Sequence, residues 1–517
     1  MFANQASRLS LPRPLLCAVV LVLLHALAGA AAHTARLAPA PLTTLPWLAG
    51  DGAQAREALR LLGQADAHGL DPAHYDADAL ARRLPALRDA AAAAAFERDL
   101  GTAMVRYLGD LHYGRTASAY RAQSDDTAAF DAAAQLARAL QEGRLEHAVQ
   151  AAAPDIPLYR RVQASLARYR ALARTHPEWP PLPPFDGAAV RPGAHYPGVA
   201  LLRERLRLLG DLEEADEPGA AGQRYTPQLA GALGRFQARH GLPEDGVLGP
   251  QTLTALSVPL RHRATQLALT LERLRWLPPL APGPTIAVNL PAYRLWAFDS
   301  RDTADEPALE MRIIVGTAAR TPTPLFIGQM RYLELNPYWN VPRSIVLGEI
   351  IPKLARNPAY LRQNEMELVT ASGKVLPEDG ALAALRAGSA RLRQRPGPRN
   401  VLGALKFAMP NSMNIYLHST SAKELFERSR RDLSHGCIRV ERPLELAQFV
   451  LADQDKWSLA ALETAIRTGN TRTLALPAPV PVVLFYATAV VDRDGRTLFA
   501  QDIYGQDAQL IRALQAP

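Results

Sequence analysis

Two hydrophobic periods divide the chain. From about Pro46 to Arg174, apolar residues recur at steps of three and four, the spacing that gathers them on one face of a helix. Leu59, Leu62 and Ala65 make one such face, in a helix that runs out at the turn signals Gly69, Asp71 and Pro72. Leu100, Met104, Tyr107, Leu108 and Leu111 make a second, which stops near Gly114, and Tyr159, Val162, Leu166 and Tyr169 make a third. The pattern predicts a helical scaffold domain over residues 46–180. A Pro-rich break (Pro177, Pro180, Pro181, Pro183, Pro184) ends it. Beyond the break, Leu201 to Leu209 and Leu229 to His240 read as short helices, and Thr252 is placed to cap a third that runs through Leu256. Residues 195–260 are therefore expected to form a small domain. A return helix over 261–280, centred on Arg261 to Trp276, is expected to pack back on the scaffold, which makes the small domain an insertion.

From Thr285 the pattern changes to strands. Ile286 to Leu290, Tyr293 to Ala297, Met311 to Val315 and Met330 to Leu335 alternate or run apolar, with turns at Pro291-Ala292 and Gly316. Asn336 to Pro342 is a rigid Pro/aromatic turn before a helix-like Ser344 to Leu354. A polar, helix-prone insertion over about 355–397 then interrupts the strands; beside a catalytic site such an insertion is expected to be a lid. Strand character returns at Leu405 to Phe407, at Asn414 to His418 and in the last forty or so residues, which include a hairpin at Asp494-Gly495. The expected class is multidomain α+β, with a β-rich domain over 284–517.

Composition agrees with that division. A length of 517 residues suggests roughly three domains, and a hydrophobic fraction of 48% fills several cores. The formal charge of +8 and a pI near 9.6 would suit an anionic partner. The Arg residues, however, alternate with Asp and Glu along helix-like segments, and no dense basic block interleaved with aromatics occurs. Nucleic acid is therefore not an expected partner. Residues 1–32 read as an export signal: Arg8 and Arg13 precede the apolar run Leu15 to Leu27, and small residues at Ala28-Gly29-Ala30 or Ala30-Ala31-Ala32 offer a cleavage site. The run, interrupted by His25, is short for a membrane span, so membrane association is expected only if the signal stays uncleaved.

Export changes the meaning of the cysteines. The chain has two; Cys17 would leave with the signal, so Cys437 would stand alone in an oxidising compartment, where thiols are paired or used. It sits in Ser434-His435-Gly436-Cys437-Ile438-Arg439, downstream of Tyr416-Leu417-His418-Ser419. A thiol is mostly protonated at neutral pH and becomes a nucleophile when a histidine accepts its proton. His435 lies two positions away. His418 lies nineteen positions before Cys437 at the end of a predicted strand and is the preferred base. Ser419, through its side chain or carbonyl, is the candidate that orients His418. Gly436 allows the amides around Cys437 to face one point, as an oxyanion hole requires. Arg439 suits a substrate carboxylate, with an ion pair to Glu441 or Glu445 as the alternative. None of the usual metal-ligand spacings appears, and no cofactor is implied.

Two resemblances follow from these residues. Phe236-Gln237 and the loop Gly241 to Thr252 resemble the three-helix peptidoglycan-binding domain, either as a binding module or as a spacer whose binding surface is lost. His418 with Ser434-His435-Gly436-Cys437-Ile438-Arg439 resembles the catalytic pattern of the YkuD-like L,D-transpeptidases. Leu59 to Tyr75, Leu100 to Arg115, Asn336 to Asn340 and Phe485-Tyr486 to Tyr504 are similar to the large multidomain members. The resemblance implies a YkuD-like catalytic domain with an inserted lid, exported to the periplasm. Cys437 would be the nucleophile and His418 the base. His435, Gly436 and the Cys437 amide would shape the oxyanion site, while Arg439, Tyr416, Ser434 and Trp339 would line the substrate groove. It further implies thioester formation with a peptidoglycan stem tetrapeptide, release of D-Ala, and transfer to a diaminopimelate amine to give a 3→3 cross-link. The implied partners are donor and acceptor stem peptides, with other wall-synthesis enzymes as further candidates. Trimming of the stem by water, attachment of a lipoprotein, and an inactive wall-binding scaffold are the alternatives.

Overall fold

The computed structural model describes residues 45–116, 130–185, 187–213, 222–278, 283–299, 307–451 and 456–515. The expected export signal lies outside the described residues. Among those described, no helix is long and apolar enough to cross a membrane.

The first core is helical. Ala53–Gly63, Ala90–Tyr113, Ala132–Glu142 and Leu145–Ala152 bury Leu62, Phe96, Leu100, Met104 and Leu108 against one another, together with Trp47 and Tyr75. Asp89 caps the long second helix by accepting from the Ala92 amide. Pro157–Thr175 belongs elsewhere. Its Tyr159, Val162, Leu166 and Tyr169 share a core with Leu202 and Leu206 of Val199–Leu209, Phe236 of Pro227–Arg239, and Leu267 and Leu271 of Leu260–Arg275.

Leu260–Arg275 is the hub of the chain. Its buried Glu272 accepts from the Arg115 and Thr116 amides at 2.7 and 3.0 Å, which holds the end of the long scaffold helix. Its Arg275 pairs with Glu272 at 2.8 Å and donates to the His68 carbonyl. From the same helix Thr270 donates to the Ala489 carbonyl and Arg273 pairs with buried Asp507 at 2.5 Å, both in the C-terminal part of the β-rich domain. Such pairs cost desolvation and are tolerated because further hydrogen bonds satisfy them.

In the small module, Thr252 lies inside the helix Pro250–Leu256, whose N-cap is Gly249, so it is not the cap that its position suggested. Its hydroxyl instead accepts from Gln237 Nε2 at 3.2 Å. Gln237 also donates to Asp245 and the Val247 carbonyl and accepts from the Gly246 amide. Phe236 stacks on His240, and His240 on Phe499 of the C-terminal hairpin. The Phe-Gln pair of the motif thus faces inward, holding the module's own loop and its seat on the rest of the chain.

The β-rich domain closes on itself. Strands β1 (Thr285–Asn289), β2 (Arg294–Phe298), β3 (Leu309–Gly316) and β4 (Phe326–Leu335) are followed, after an inserted subdomain, by β9 (Leu405–Ala408), β10 (Leu417–His418), β11 (Asp432–Ser434), β12 (Ile438–Val440) and β13 (Arg472–Phe485). The order β3-β12-β10-β9-β4-β13-β1-β2 returns to β3 through a β2–β3 pairing, and β11 pairs with the end of β3. Leu333, Phe407, Leu417, Ile438 and Val482 fill the interior. Three pairings are parallel, β1 with β13, β10 with β12 and β11 with β3. The terminal hairpin β14 (Ala489–Val491) and β15 (Thr497–Phe499) turns at Gly495.

The inserted subdomain differs from the polar, helix-prone lid expected over about 355–397. It begins earlier and contains a four-stranded sheet of β5 (Trp339–Asn340), β8 (Arg391–Gln394), β6 (Met366–Val369) and β7 (Val375–Leu376). The alternation in Met366-Glu367-Leu368 and Arg391-Leu392-Arg393 is the physical reason: Met366, Leu368 and Leu392 face a separate core with Trp339, Ile350 and Leu385. Its helical part includes a π-helical turn, Val346–Ile350, of the kind often found at functional sites.

Candidate active site

Parallel β10 and β12 place Leu417 opposite Ile438 and His418 opposite Arg439. Alternation along each strand puts Tyr416, His418, Cys437 and Arg439 on one face. The rings of Tyr416 and His418 accordingly meet edge to face at 5.8 Å. His418 is also in register with Lys406 of β9, and Lys406 with Glu334 of β4, which extends the row across four strands.

His418 is buried, 5% exposed, and its Nδ1 lies 2.6 Å from the Ser419 carbonyl. A carbonyl only accepts, so this contact assigns the neutral tautomer with its proton on Nδ1 and leaves Nε2 as the proton acceptor. Burial, then the positive charge of Arg439, lowers the pKa of His418 to about 3, against the opposing pull of the Ser419 and Leu402 carbonyls. The imidazole is neutral at physiological pH. Of the two groups that Ser419 offers, it is the carbonyl that meets the ring. Its hydroxyl is engaged elsewhere, donating to the Leu402 carbonyl at 2.9 Å and accepting from the Leu405 amide at 3.0 Å.

Cys437 is half-buried, and burial pushes its thiol up from the usual value, while Tyr416 and the charges of Lys406 and Arg439 pull it down. Its sulfur donates to the Asn414 carbonyl at 3.5 Å. Asn414 has φ +54°, in a loop whose shape is held by Asn411 Oδ1 accepting from the Met413 and Ile415 amides. No hydrogen bond joins His418 to the thiol in this resting arrangement; Cys437 lies two positions before Arg439, the register partner of His418. Catalytic contacts of this kind commonly tighten only when substrate binds.

The turn before Cys437 is closed by Ser434, whose hydroxyl donates to the Cys437 carbonyl at 2.6 Å and accepts from the Gly436 amide at 3.1 Å. Ser434 is buried and its hydroxyl is occupied, so it shapes the turn and does not line the groove as expected. Gly436 has φ +115°, a conformation that a side chain would strain. Its amide is held by Ser434, whereas the Cys437 amide makes no hydrogen bond among the described residues. His435 points outward, its Nε2 lying 2.5 Å from Glu349 in the π-helical turn of the inserted subdomain. That places the ring against the subdomain and away from the sheet face, so the oxyanion role expected of it has no geometric support beyond its main chain.

Arg439 makes no ion pair among the described residues. Glu441 pairs with Arg312 at 2.5 Å and Glu445 with Arg442 at 3.2 Å, so the alternative expected for Arg439 does not occur. Its Nε is buried without a partner, and a buried donor in that condition is costly until something accepts from it. Trp339 is 9% exposed in the core of the inserted subdomain, against which Tyr416 packs.

One part of the site escaped the sequence reading. The segment after β3 braces the Cys437 turn: Thr317 donates its amide to the Ser434 carbonyl, and Thr323 accepts from the Gly316 amide and donates to the Gly436 carbonyl at 2.8 Å. Tyr504, near the far end of the chain, donates to the Gly316 carbonyl at 2.6 Å. The local signal was a glycine ending an apolar strand ahead of Thr317, Thr321 and Thr323.

Comparison with known proteins matches this architecture. The L,D-transpeptidase catalytic domain family matches residues 283–482, the "Scaffold domain" family residues 43–166, and the family described as "Putative peptidoglycan binding domain" residues 195–256. A Haemophilus influenzae protein named "Putative L,D-transpeptidase" is 33% identical over 251 residues, 47% of this chain and 48% of that one. The chain thus spans about half the length of that curated relative. Two solved structures titled as L,D-transpeptidases are also similar. The one from Xylanimonas cellulosilytica is 15% identical, over 59% of this chain and 100% of that one, with a TM-score of 0.18. The one from Stackebrandtia nassauensis is 13% identical, over 59% and 96%, with a TM-score of 0.23. Residues 283–482, with Cys437 and His418 among them, belong to the YkuD family of L,D-transpeptidase catalytic domains, and the chain joins them to a scaffold domain and a peptidoglycan-binding domain.

Proposed function

We propose that this chain is an exported L,D-transpeptidase that makes 3→3 cross-links in peptidoglycan. The observation that carries the reading is the shared sheet face of Cys437, His418 and Arg439, with an imidazole whose tautomer is set and a guanidinium that has no ion pair among the described residues. In this mechanism His418 Nε2 takes the thiol proton as Cys437 attacks the carbonyl of the third stem residue. The free Cys437 amide stabilises the oxyanion. The tetrahedral intermediate collapses to a thioester as the terminal D-Ala leaves with the proton from His418. A diaminopimelate side-chain amine of a second stem then attacks the thioester, loses its proton to His418, and releases the thiolate, which recovers a proton. Arg439 holds a stem carboxylate, Tyr416 forms the groove wall, and the subdomain carrying Trp339 and Glu349 covers the site as a lid. Periplasmic location and engagement of the wall by the small module belong to the same reading.

Mass spectrometry of the purified protein with tetrapeptide-bearing muropeptides tests it. Dimers joined 3→3, with release of D-Ala, are expected. Tripeptides alone would assign a carboxypeptidase. Unchanged muropeptides, with no carbapenem adduct on Cys437, would leave only a wall-binding role.

A further inference from the structure

We propose that Lys406 is a positioning residue: held by Glu334, its ammonium supplies fixed positive charge against which the Cys437 thiolate forms. The inference rests on the reading of Cys437 as nucleophile and adds a residue to that site. Lys406 is in register with His418 on one side and Glu334 on the other. Its Nζ lies 3.1 Å from Glu334 Oε2 and 5.0 Å from the centroid of the Tyr416 ring, the ring that packs on His418. Both members of the pair are only about a fifth exposed, at 20% and 21%, so their charges are screened less than those of a surface pair.

The arrangement decides where positive charge can sit. Many cysteine nucleophiles are stabilised by an imidazolium formed when histidine takes the proton. Here His418 is buried between Lys406 on one neighbouring strand and Arg439 on the other, and both disfavour a positive charge on the ring. The resting imidazole is neutral, so until His418 takes a proton the positive charge that favours a thiolate comes from the two cations. Arg439 has no counter-ion among the described residues; Lys406 has Glu334, which fixes its position and tempers its charge. The other groups on the sheet face of the thiol are Tyr416 and His418 from β10 and Arg439 from its own strand, while His435 of the same turn points outward to Glu349 of the inserted subdomain. Lys406 is the cation of this row that is both held in a salt bridge and set over the Tyr416 ring.

The test is the pH profile of iodoacetamide alkylation in the full chain, followed at the Cys437 peptide by mass spectrometry, with the melting temperature of each variant recorded. Lys406→Met should raise the midpoint by roughly half to one pH unit, the effect of removing one nearby charge under partial screening. Glu334→Gln should lower it, because the ammonium loses its counter-charge, and Lys406→Arg should keep it near the parent value. A pair that only braces the sheet would lower the melting temperature in both variants and move the midpoint in neither, or in the same direction in both; either result overturns the proposal. Should Lys406→Met fail to fold, Glu334→Gln decides alone: a lower midpoint supports the assignment, and an unchanged or higher one refutes it. The assay contains no peptidoglycan. Failure of the cross-linking reading would appear as absent 3→3 dimers with these midpoints still displaced.

Discussion

Replacing Ser419 with alanine separates two ways in which a residue after a catalytic histidine can act. In the structure the Ser419 carbonyl holds His418 Nδ1, while the hydroxyl joins the Leu402 carbonyl to the Leu405 amide at 2.9 and 3.0 Å, with all of these groups buried. Ser419→Ala leaves the carbonyl in place and strands one acceptor and one donor. Each buried polar group left without its partner costs about 1–3 kcal/mol, so the two together should lose roughly 2–6 kcal/mol. For a domain of this size that corresponds to a fall of about 5–20 °C in melting temperature. Water is a poor replacement, because the Ser419 hydroxyl fills the space where Gly403 lacks a side chain: a Cβ on Gly403 would come 2.3 Å from it. Calorimetry measures the stability, and the rate of carbapenem adduct formation at a temperature where the variant is folded measures the dyad. The expected result is a large stability loss with acylation within about threefold of the parent and an unchanged pH profile. A variant with parental melting temperature and acylation reduced a hundredfold would show that the hydroxyl acts on His418 and would refute the assignment to the carbonyl.

Three further outcomes follow from the same geometry. Gly316→Ala would place a Cβ 1.9 Å from the Thr321 carbonyl oxygen and 3.0 Å from the Gly436 Cα, so it should displace the brace behind the Cys437 turn. Adduct formation should fall more than about tenfold, the loss expected when a reacting group is misplaced; a parental rate would show that the brace has no part in holding the turn. Glu349→Gln weakens the contact between the inserted subdomain and His435, and amide exchange over residues 346–356 should quicken while the melting temperature of the sheet is kept; unchanged exchange would remove this contact from any account of lid closure. Arg439→Gln should raise the KM for a donor stem with a free carboxylate about tenfold or more, with little change for the amidated stem, as loss of one charge-assisted bond predicts; equal losses on both would assign Arg439 to something other than the carboxylate.

The parts of the site that could be read from the chain are those whose chemistry is local. A lone thiol after Ser434-His435-Gly436, with His418 ending a strand upstream, is a short-range pattern, because parallel β10 and β12 need only one returning loop to bring their ends together. The helical and β-rich halves were readable for the same reason: their periods are properties of adjacent residues. What stayed hidden depends on residues far apart. The strand ring closes through β13 against β1, a parallel pairing between the two ends of the domain. The brace on the Cys437 turn draws Tyr504 onto Gly316, and nothing near either residue announces the other. The four-stranded inserted subdomain was missed because its strands are only two to four residues long and carry Arg and Glu on their exposed face, so their alternation is weak until Trp339 and Leu385 supply a core. The role of Ser419 shows the limit most clearly. Its identity invites a hydroxyl argument, yet the atom that meets His418 is a carbonyl, which every residue has. What serine contributes is the buried link between Leu402 and Leu405 that keeps that carbonyl in position, and only the fold could separate the two.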